Sequence, residues 1–513
     1  MLTYLSEPSR KKRSGFKPLS FYLTAPFSRA LDAFKLCLAL VLGTILRISG
    51  ADEYYEATME GVRKRKSADD VSGADAGATG GSWPYEDDDH KTKSASIDRG
   101  FTRLIGGVAA AAAALLLLAV LFPGSVPTAL HGAVDGALAA AGLETRAHAV
   151  VIDAGSTGSR VLAFTFHRGL LSGELTLDDE LWHEVKPGLS SYANDPAAGA
   201  KSVDELLELA RKKIPKANWD STPLTLKATA GLRLLKKEEA DAIIEEVEKT
   251  LRTSGFKPEE TLIEIMNPTD EGIFAWFTVN FLLGKLSKPL EESSVTLDLG
   301  GGSTQITFAP DGPVHGIRGR KHFMHNATIM GQPSELYSHS YLGLGLMAAR
   351  EAIFLASSDS QDKLQLSSPC VTHQEPLQWE YKGKKYTISS SQASFQNCIA
   401  QVNKVVNSAN VHTPKDLAQK EIVAFSYFYD RAVERRLIQG FAGQIPVSSF
   451  IYEAQRACDP YSNSQFFCVD LAYISALLTK GYGLPPDKVL NLYKKIDGHE
   501  TSWALGLAYS ILQ

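Results

Sequence analysis

Two stretches of the chain share one plan, in which an apolar run ends in aspartate and a turn of small residues follows. Residues 149–164 read AVVIDAGSTGSRVLAF, and residues 294–308 read SVTLDLGGGSTQITF. A second apolar run follows each turn, which predicts a β-hairpin that carries an acid and accessible backbone N–H groups. Small residues let such a loop bring its amides close to an anion. Two copies about 145 residues apart predict two related half-domains that face one phosphate chain.

The length and charge of the chain set broad limits. With 513 residues, of which 44% are hydrophobic, the chain is long enough for two or more domains with sizeable cores. The formal net charge of −5 gives no basis for a nucleic-acid partner. From residue 147 onward, strand-like and helix-like segments alternate, which predicts an α/β architecture.

The N-terminal part contains a candidate membrane segment. Residues 104–122 are rich in alanine and leucine and carry no charge, which predicts a transmembrane helix. Residues 1–103 are mostly polar and predict a largely disordered tail, apart from the apolar residues 36–46. That short segment favours an interfacial helix, while a second membrane segment stays open as an alternative.

Charged residues beside the candidate span indicate its orientation. Lys91, Lys93, Arg99 and Arg103 precede it, whereas Arg146 is the first basic residue after it. The positive-inside rule therefore predicts a cytosolic N-terminus and a type II membrane protein, with residues 123–145 as a lumenal stem. A cleaved signal peptide is not expected, because the apolar segment begins more than about 100 residues into the chain.

The cysteines and one sequon fit an oxidising compartment. Four of the five cysteines, Cys370, Cys398, Cys458 and Cys468, lie in the last third of the chain without CxxC spacing. This pattern favours two disulfides over a metal site, and we expect sequential pairing of Cys370 with Cys398 and of Cys458 with Cys468. Buried free thiols remain the alternative. The sequon at Asn326 predicts a glycosylation site.

The two aspartates of the repeated plan are the first candidates for chemistry. Asp153 and Asp298 each end an apolar strand at the mouth of a small-residue turn, where α/β sheets bind ligands. A single aspartate there would be interpreted as a turn former, but the matched placement favours a functional role. Carboxylates that face a polyphosphate need a hard cation between them, so we expect Ca²⁺ or Mg²⁺. The predicted phosphate contacts are Gly155, Ser156, Thr157, Gly158, Gly300, Gly301, Gly302, Ser303 and Thr304.

A hydrolase also needs a group that deprotonates water, and Glu271 is the candidate. It opens a predicted apolar helix after the Thr269-Asp270-Glu271-Gly272 sequence. The alternative is structural, because an acid in the first turn of a helix is favoured by the helix dipole, with Thr269 as the cap.

Five motifs then carry a resemblance to the apyrase family, the nucleoside triphosphate diphosphohydrolases. They are VIDAGSTGSR from residue 151, KATAGLR from 227, DEG from 270, LDLGGGSTQ from 297 and SWALG from 502. The resemblance extends from about residue 147 to the C-terminus. VKPGLSSYA from residue 185, YSHSYLGLGLM from 337 and FSYFYDRAV from 425 resemble the lumenal nucleoside diphosphatase branch, as does the presence of four lumenal cysteines.

The resemblance implies an actin-like, ribonuclease-H-like fold with the nucleotide in a cleft between two lobes. We expect lobe I to comprise residues 146–268 and 490–513, and lobe II to comprise residues 269–489. The resemblance also implies roles for individual residues. Glu271 would be the general base, with Ser303 and Gln305 positioning the attacking water. Thr229 and Trp503 would join Asp153 and Asp298 around the metal, through water. Phe428 or Tyr429, together with Phe467, would contact the base.

Three functions follow from these expectations. The leading one is metal-dependent hydrolysis of UDP or GDP in the Golgi or endoplasmic reticulum lumen, which would support glycosylation. A secreted form of the protein is also compatible with these expectations. Gly158 stands where cell-surface relatives have a histidine, which favours diphosphates. The second is a broader apyrase that also hydrolyses triphosphates at the cell surface. The third is an actin-like nucleotide clamp, which the base at Glu271 disfavours. The preferred base and metal and the oligomeric state stay open.

Overall fold

The fold was analysed in a computed structural model, which describes residues 131–140, 145–311, 321–414, 417–462 and 464–513. The tail at 1–103, the candidate span at 104–122 and most of the candidate stem lie outside these residues. Helix α1, His131–Ala140, precedes the compact unit of residues 142–513, which contains the elements described below. None of the helices within the described residues combines the length and the apolar composition that a membrane span requires.

The first sheet has five strands and forms the core of the first lobe. The elements in chain order are β1 Thr145–Ala154, β2 Ser159–Arg168, β3 Leu175–Val185, α2 Pro196–Lys213, β4 Pro223–Ala228, α3 Ala230–Arg233, α4 Lys237–Arg252 and β5 Lys257–Ile265. The strand order is β3-β2-β1-β4-β5. Strand β2 is antiparallel to both β1 and β3, whereas β1, β4 and β5 run parallel to one another.

Helical periodicity in the sequence explains how this lobe buries its apolar surface. In α4, Ala240, Ile243, Val247 and Leu251 are spaced three or four residues apart and are all buried. Such spacing places them on one face of the helix, which packs against α2 and β5. The opposite face is rich in glutamate and lysine, so it stays in solvent.

The rest of the chain builds the second lobe and returns to the first. Its elements are α5 Pro268–Leu282, β6 Val295–Leu299, β7 Ser303–Phe308, β8 Met324–Ile329, β9 Gln332–Leu342, α6 Leu346–Ser357, β10 Gln365–Ser368, β11 Leu377–Tyr381, β12 Lys384–Ser390, α7 Phe395–Ser408, β13 Ile422–Ser426, α8 Tyr427–Glu434, β14 Ala442–Pro446, α9 Val447–Ala457, α10 Phe467–Ala476, β15 Val489–Tyr493, β16 Lys495–Ile496, β17 His499–Glu500 and α11 Trp503–Leu512. The main sheet has the order β14-β15-β13-β6-β7-β9-β8. Strands β10 to β12 form a small separate sheet.

The two main sheets repeat one topology. The run β9-β7-β6-β13-β15 in the second sheet reproduces the run β3-β2-β1-β4-β5 of the first, with matching strand directions. In both hairpins, the aspartate lies one residue before the last paired position of the first strand. The two related half-domains that the repeated motif predicts are therefore present.

Helices α5 and α11 connect the lobes. They pack against each other, α11 also packs on β1, and α5 packs on β7 and β9. A Cβ on Gly506 would lie 2.4 Å from the carbonyl oxygen of Phe274, so glycine allows this close crossing. The predicted lobe boundary at residue 490 needs correction, because it falls inside β15, which pairs with β13 and β14 in the second sheet. The chain returns to the first lobe only after Tyr493.

The second lobe contains two disulfides with the sequential pairing expected from the sequence. Cys370 is bonded to Cys398, and Cys458 is bonded to Cys468. Free thiols at these four positions are excluded by these bonds. Asn326, the predicted glycosylation site, lies on β8 and is exposed.

Candidate active site

A cleft of about 400 Å³ lies between the two lobes, and both hairpin turns open into it. It brings together most of the site residues predicted from the sequence: Asp153, Gly155, Ser156, Thr157, Thr229, Glu271, Asp298, Gly300, Gly301, Gly302, Ser303, Tyr429 and Trp503. The fold thus places residues from five separate motifs around one space.

The two small-residue turns face each other at close range. A Cβ on Gly301 would lie 2.5 Å from the hydroxyl oxygen of Ser156 and 2.7 Å from a methyl carbon of Thr157. On the same turn, a Cβ on Gly302 would lie 2.8 Å from that of Ala230. These distances are below van der Waals contact, so glycine is required where the loops of the two lobes meet. Both turns also line the cleft.

The two aspartates present unsatisfied carboxylate oxygens to this space. Asp153 and Asp298 are only 6% and 9% exposed, and the Oδ1 atom of each has no hydrogen-bond partner among the described residues. The other oxygen of Asp153 accepts a hydrogen bond from Arg160 at 3.1 Å. Buried, unpaired carboxylate oxygens are costly, and oxygen ligands of this kind are what Ca²⁺ and Mg²⁺ prefer. The pair therefore fits a divalent cation.

Burial also changes the acidity of these carboxyl groups. Loss of solvent raises the pKa of Asp298 to about 6, and the negative charge of Asp153 contributes, while a hydrogen bond from Ser426 opposes the shift. The pKa of Asp153 is raised by burial as well, and Arg160 opposes this. Both shifts reflect burial that the neighbouring groups only partly offset, and a bound cation would supply further positive charge.

Glu271 is held in the first turn of α5, facing the cleft. The side chain of Asn267 caps this helix by accepting a hydrogen bond from the amide of Thr269 at 3.0 Å, so Thr269 is not the cap. Arg233 donates to Oε2 of Glu271 at 2.6 Å. Burial raises the pKa of Glu271 to about 7, Arg233 opposes this, and the charges of Asp298 and Asp153 add to it. A carboxylate with this pKa can accept a proton from water near neutral pH.

Strand alternation separates the three polar residues that follow the second turn. Ser303 lines the cleft, and its hydroxyl accepts a hydrogen bond from the side chain of Gln305 at 2.9 Å. Gln305 also donates to Ser340 at 2.9 Å, so its amide is fixed directly behind Ser303. Thr304 points to the other face, where its hydroxyl donates to the backbone carbonyl of Asp298 at 2.6 Å. The predicted phosphate contact from the Thr304 side chain is therefore wrong.

Gly158 also lies outside the cleft lining. A Cβ at this position would lie 2.6 Å from Oε1 of Glu184, which itself accepts a hydrogen bond from Arg160 at 2.6 Å. Glu184 thus occupies the place that a side chain at 158 would need.

The aromatic residues expected to contact the base fall into two groups. Tyr429 lines the cleft, and its hydroxyl donates to the carbonyl of Gly440 at 2.6 Å, which fixes the ring. Phe428 is fully buried in the core of the second lobe, and Phe467 packs against the guanidinium groups of Arg431 and Arg435. Neither lines the cleft, which corrects their prediction as base contacts. The helical phase of α8 explains why Tyr429 lines the cleft and Phe428 does not, because consecutive residues of a helix point in different directions.

Comparison with known proteins identifies the chain. A profile of the GDA1/CD39 (nucleoside phosphatase) family matches residues 140–513. The chain belongs to the GDA1/CD39 family. It is 40% identical over 375 residues to "Nucleoside diphosphate phosphatase ENTPD5" of Homo sapiens, an alignment that covers 71% of this chain and 87% of that protein.

Further comparisons agree with this membership of the GDA1/CD39 family. The chain is 42% identical over 381 residues to "Ectonucleoside triphosphate diphosphohydrolase 6" of Rattus norvegicus, covering 71% of this chain and 82% of that protein. The crystal structure of nucleoside triphosphate hydrolases from Neospora caninum matches with a TM-score of 0.50 and 15% identity, covering 72% of this chain and 93% of that one. The two-lobed, actin-like α/β fold implied by the sequence motifs is confirmed.

Three residues of this GDA1/CD39 chain belong to the site although the sequence did not single them out. Arg160 pairs with Asp153, Arg233 pairs with Glu271, and Ser426 hydrogen-bonds to Asp298. Ser426 has a φ of 56° and a ψ of −130°, a conformation that a residue with a side chain adopts only at a cost. Arg160 could have been found, because a four-residue turn puts it opposite Asp153. Arg233 and Ser426 lie inside the quoted motifs KATAGLR and FSYFYDRAV, but no spacing there indicates which side chain each of them contacts.

Proposed function

We propose that this chain hydrolyses the terminal phosphate of nucleoside diphosphates, with a divalent cation, to give the monophosphate and inorganic phosphate. The observation that carries the proposal is the meeting of Glu271 with Asp153 and Asp298 in one cleft between two glycine turns. The name of the human relative, a nucleoside diphosphate phosphatase, supports the choice of reaction.

The residues of the cleft have separate tasks in this reaction. Backbone amides of the two turns, with the hydroxyl groups of Ser156 and Thr157, bind the phosphates. Asp153 and Asp298 would hold the cation, and Thr229 and Trp503 line the same cleft. A bound Ca²⁺ or Mg²⁺ would neutralise charge on the phosphate oxygens.

Water activation involves Glu271 and the polar pair beside it. Ser303, held by Gln305, orients a water molecule whose proton passes to a carboxylate oxygen of Glu271. The water oxygen then bonds to the β-phosphorus while the bridging P–O bond breaks, and that bond's electron pair stays on the oxygen of the nucleoside monophosphate. The pKa of Glu271, raised by burial to about 7, suits a base that operates near neutral pH.

Features of the cleft support UDP and GDP as substrates. Tyr429 offers a fixed ring on which different bases can stack. Glu184, which is paired with Arg160, lies beside the first turn and fills space there, which limits the room for a third phosphate. A broader activity that includes triphosphates is the second candidate, favoured by the name of the rat relative.

The cellular setting is also a proposal. The two disulfides and the exposed sequon at Asn326 support a catalytic part that lies in the lumen of the Golgi or endoplasmic reticulum. There, removal of nucleoside diphosphates would support glycosylation. A glycan on Asn326, or protection of the C-terminal part from protease in sealed vesicles, tests this topology.

The activity itself is tested by phosphate release from UDP, GDP, ADP and UTP with Ca²⁺ or Mg²⁺. We expect diphosphates to react faster than UTP and a chelator to abolish turnover. Glu271→Gln removes the base, and we expect kcat to fall by about 100-fold or more. Glu205→Gln is the matched control, because Glu205 is an exposed residue of α2. Full activity of Glu271→Gln would contradict the assigned role.

A further inference from the structure

Strand β9 carries two serines that the proposed reaction does not use directly. Ser338 and Ser340 are two residues apart, so they lie on the same face of the strand. In the antiparallel ladder they pair with Thr307 and Gln305 of β7. Neither serine is among the described residues that line the cleft. Each nevertheless makes a hydrogen bond that leads to a group needed for activating water.

The first of these connections runs from Ser340 to Ser303. The side-chain nitrogen of Gln305 donates to the hydroxyl oxygens of Ser303 and Ser340, in both cases at 2.9 Å. A side-chain amide nitrogen has two N–H groups, so both are used. Ser303 lines the cleft, whereas Ser340 lies behind the amide on the neighbouring strand. The amide of Gln305 is therefore held from two sides of the sheet ladder.

Ser340 supplies the second of the two anchors of this amide. Gln305 is only 2% exposed, so an N–H group that lost its partner would be buried and unpaired, which costs free energy. With Ser303 as the remaining acceptor, the amide could rotate about its last side-chain bond towards another partner. Two hydrogen bonds from one nitrogen prevent this rotation and so fix the hydroxyl oxygen of Ser303.

The second connection runs from Ser338 to the helix that carries Glu271. The hydroxyl of Ser338 donates to the backbone carbonyl of Thr269, in the first turn of α5, at 3.3 Å. Because this uses its one proton, Ser338 accepts from the hydroxyl of Thr307, 2.8 Å away. A Cβ on Gly272 would lie 2.6 Å from the hydroxyl oxygen of Thr307 and 2.8 Å from that of Ser338. Glycine thus lets the helix turn approach this hydroxyl pair directly beside the candidate base.

We propose that Ser338 and Ser340 are positioning residues for the activation of water. Ser340 fixes Ser303 through the amide of Gln305. Ser338 fixes the turn of α5 that carries Glu271. Since both serines lie on one strand, the base and the water-orienting hydroxyl keep a constant spacing although they come from different elements. The inference rests on the proposed function and extends its machinery to residues outside the cleft.

The role of Ser340 is tested with two substitutions of nearly equal shape. Ser340→Thr keeps the hydroxyl acceptor, whereas Ser340→Val replaces it with a methyl group that also fills the space of a substituting water. Phosphate release from UDP by the full-length chain is measured with Ca²⁺. We expect kcat of Ser340→Val to be about 5-fold or more below that of Ser340→Thr, with KM the same in both. Equal kcat values, or a change in KM alone, would overturn the inference.

Double-mutant cycles identify the partner through which each serine acts. Ser340→Val should cause no further loss of kcat in the Gln305→Leu background. Ser338→Ala should lower kcat about 5-fold or more by itself and cause no further loss in the Glu271→Gln background. Ser338→Cys, which has a similar size and a weaker donor, replaces Ser338→Ala if thermal unfolding shows that the alanine variant does not fold. Additive losses in either cycle would indicate a merely structural role and overturn the inference.

Ser334→Ala is the matched control, because Ser334 lies on the same strand and its hydroxyl donates only to the nearby carbonyl of Gln332 among the described residues. It should keep the kcat and KM of the wild type. A loss of kcat as large as that of Ser340→Val would mean that β9 tolerates no such change, which contradicts a specific role of Ser340. Wild-type protein that releases no phosphate from UDP, GDP, ADP or UTP would refute the proposed function instead.

Discussion

Substituting the candidate base should make the protein more stable and inactive at the same time. Burial raises the pKa of Glu271 from an ordinary value of 4.5 to about 7, even with Arg233 beside it. One pKa unit corresponds to about 1.4 kcal/mol, so the ionised form costs about 3 kcal/mol of folding free energy above pH 7. Glutamine has the same shape and carries no charge, so Glu271→Gln avoids this cost.

The sign of the pH dependence follows from proton binding. Between pH 4.5 and about 7, the folded protein holds a proton on Glu271 that the unfolded chain has released. Stability from this group is therefore present at low pH and lost as pH rises through this window. Glu271→Gln should lack that loss, so the two proteins should be nearly equal at pH 5 and differ most at pH 8.

The measurement is thermal unfolding of wild type and Glu271→Gln across pH 5 to 8, in chelator and without nucleotide. An unfolding entropy of about 2.1 cal/mol/K per residue over roughly 370 residues converts about 3 kcal/mol into about 4 °C at pH 8. Glu205→Gln serves as the surface control. If Glu271→Gln unfolded at a lower temperature than wild type at pH 8, or kept the wild-type pH slope, the burial argument would be refuted.

Three further predictions concern residues that support the candidate active site or the second lobe. Ser426→Gly should relieve the positive φ and raise stability by about 1–3 kcal/mol, yet lower the affinity for Ca²⁺ in calorimetry, because the hydroxyl that steadies Asp298 is lost. Unchanged Ca²⁺ affinity would exclude that role. Gly301→Ala should raise the KM for UDP at least about 10-fold, since its Cβ would meet the Ser156 hydroxyl; an unchanged KM would mean that the turns separate freely. Replacing both cysteines of the Cys458–Cys468 disulfide with serine should lower the free energy of unfolding by about 2–3 kcal/mol in urea titrations, and no change would contradict a loop-closure contribution.

The sequence was most informative where function is encoded within one local segment. Asp153 and Asp298 were found because each lies in a strand-turn-strand segment whose plan occurs twice. Glu271 was ambiguous from its position alone, since any helix favours an acid in its first turn. The motif order favoured the role of general base, which stays a prediction, and the structure adds that burial raises the pKa of Glu271, with a contribution from two other carboxylates.

Other features depend on contacts that sequence spacing does not encode. The direction of Phe428 and Tyr429 depends on the phase of α8, which begins directly after the strained Ser426. Arg233 reaches Glu271 only because two segments 38 residues apart meet across the cleft. By contrast, the misassigned Thr304 was avoidable, because the two-residue period of a strand already places it on the opposite face from Ser303 and Gln305.

The repeated hairpins show how one topology supplies two kinds of chemistry. In both, the turn brings one residue of the second strand opposite the aspartate, and this residue is Arg160 in the first hairpin and Gln305 in the second. Arg160 gives Asp153 a positive partner. Gln305 brings no charge, so Asp298 has no arginine opposite it; burial raises its pKa, and its negative charge adds to that of Asp153 in raising the pKa of Glu271. An arginine in the second hairpin would lower the pKa of the base and weaken it, so the neutral amide at this register position preserves a proton acceptor beside the cation site.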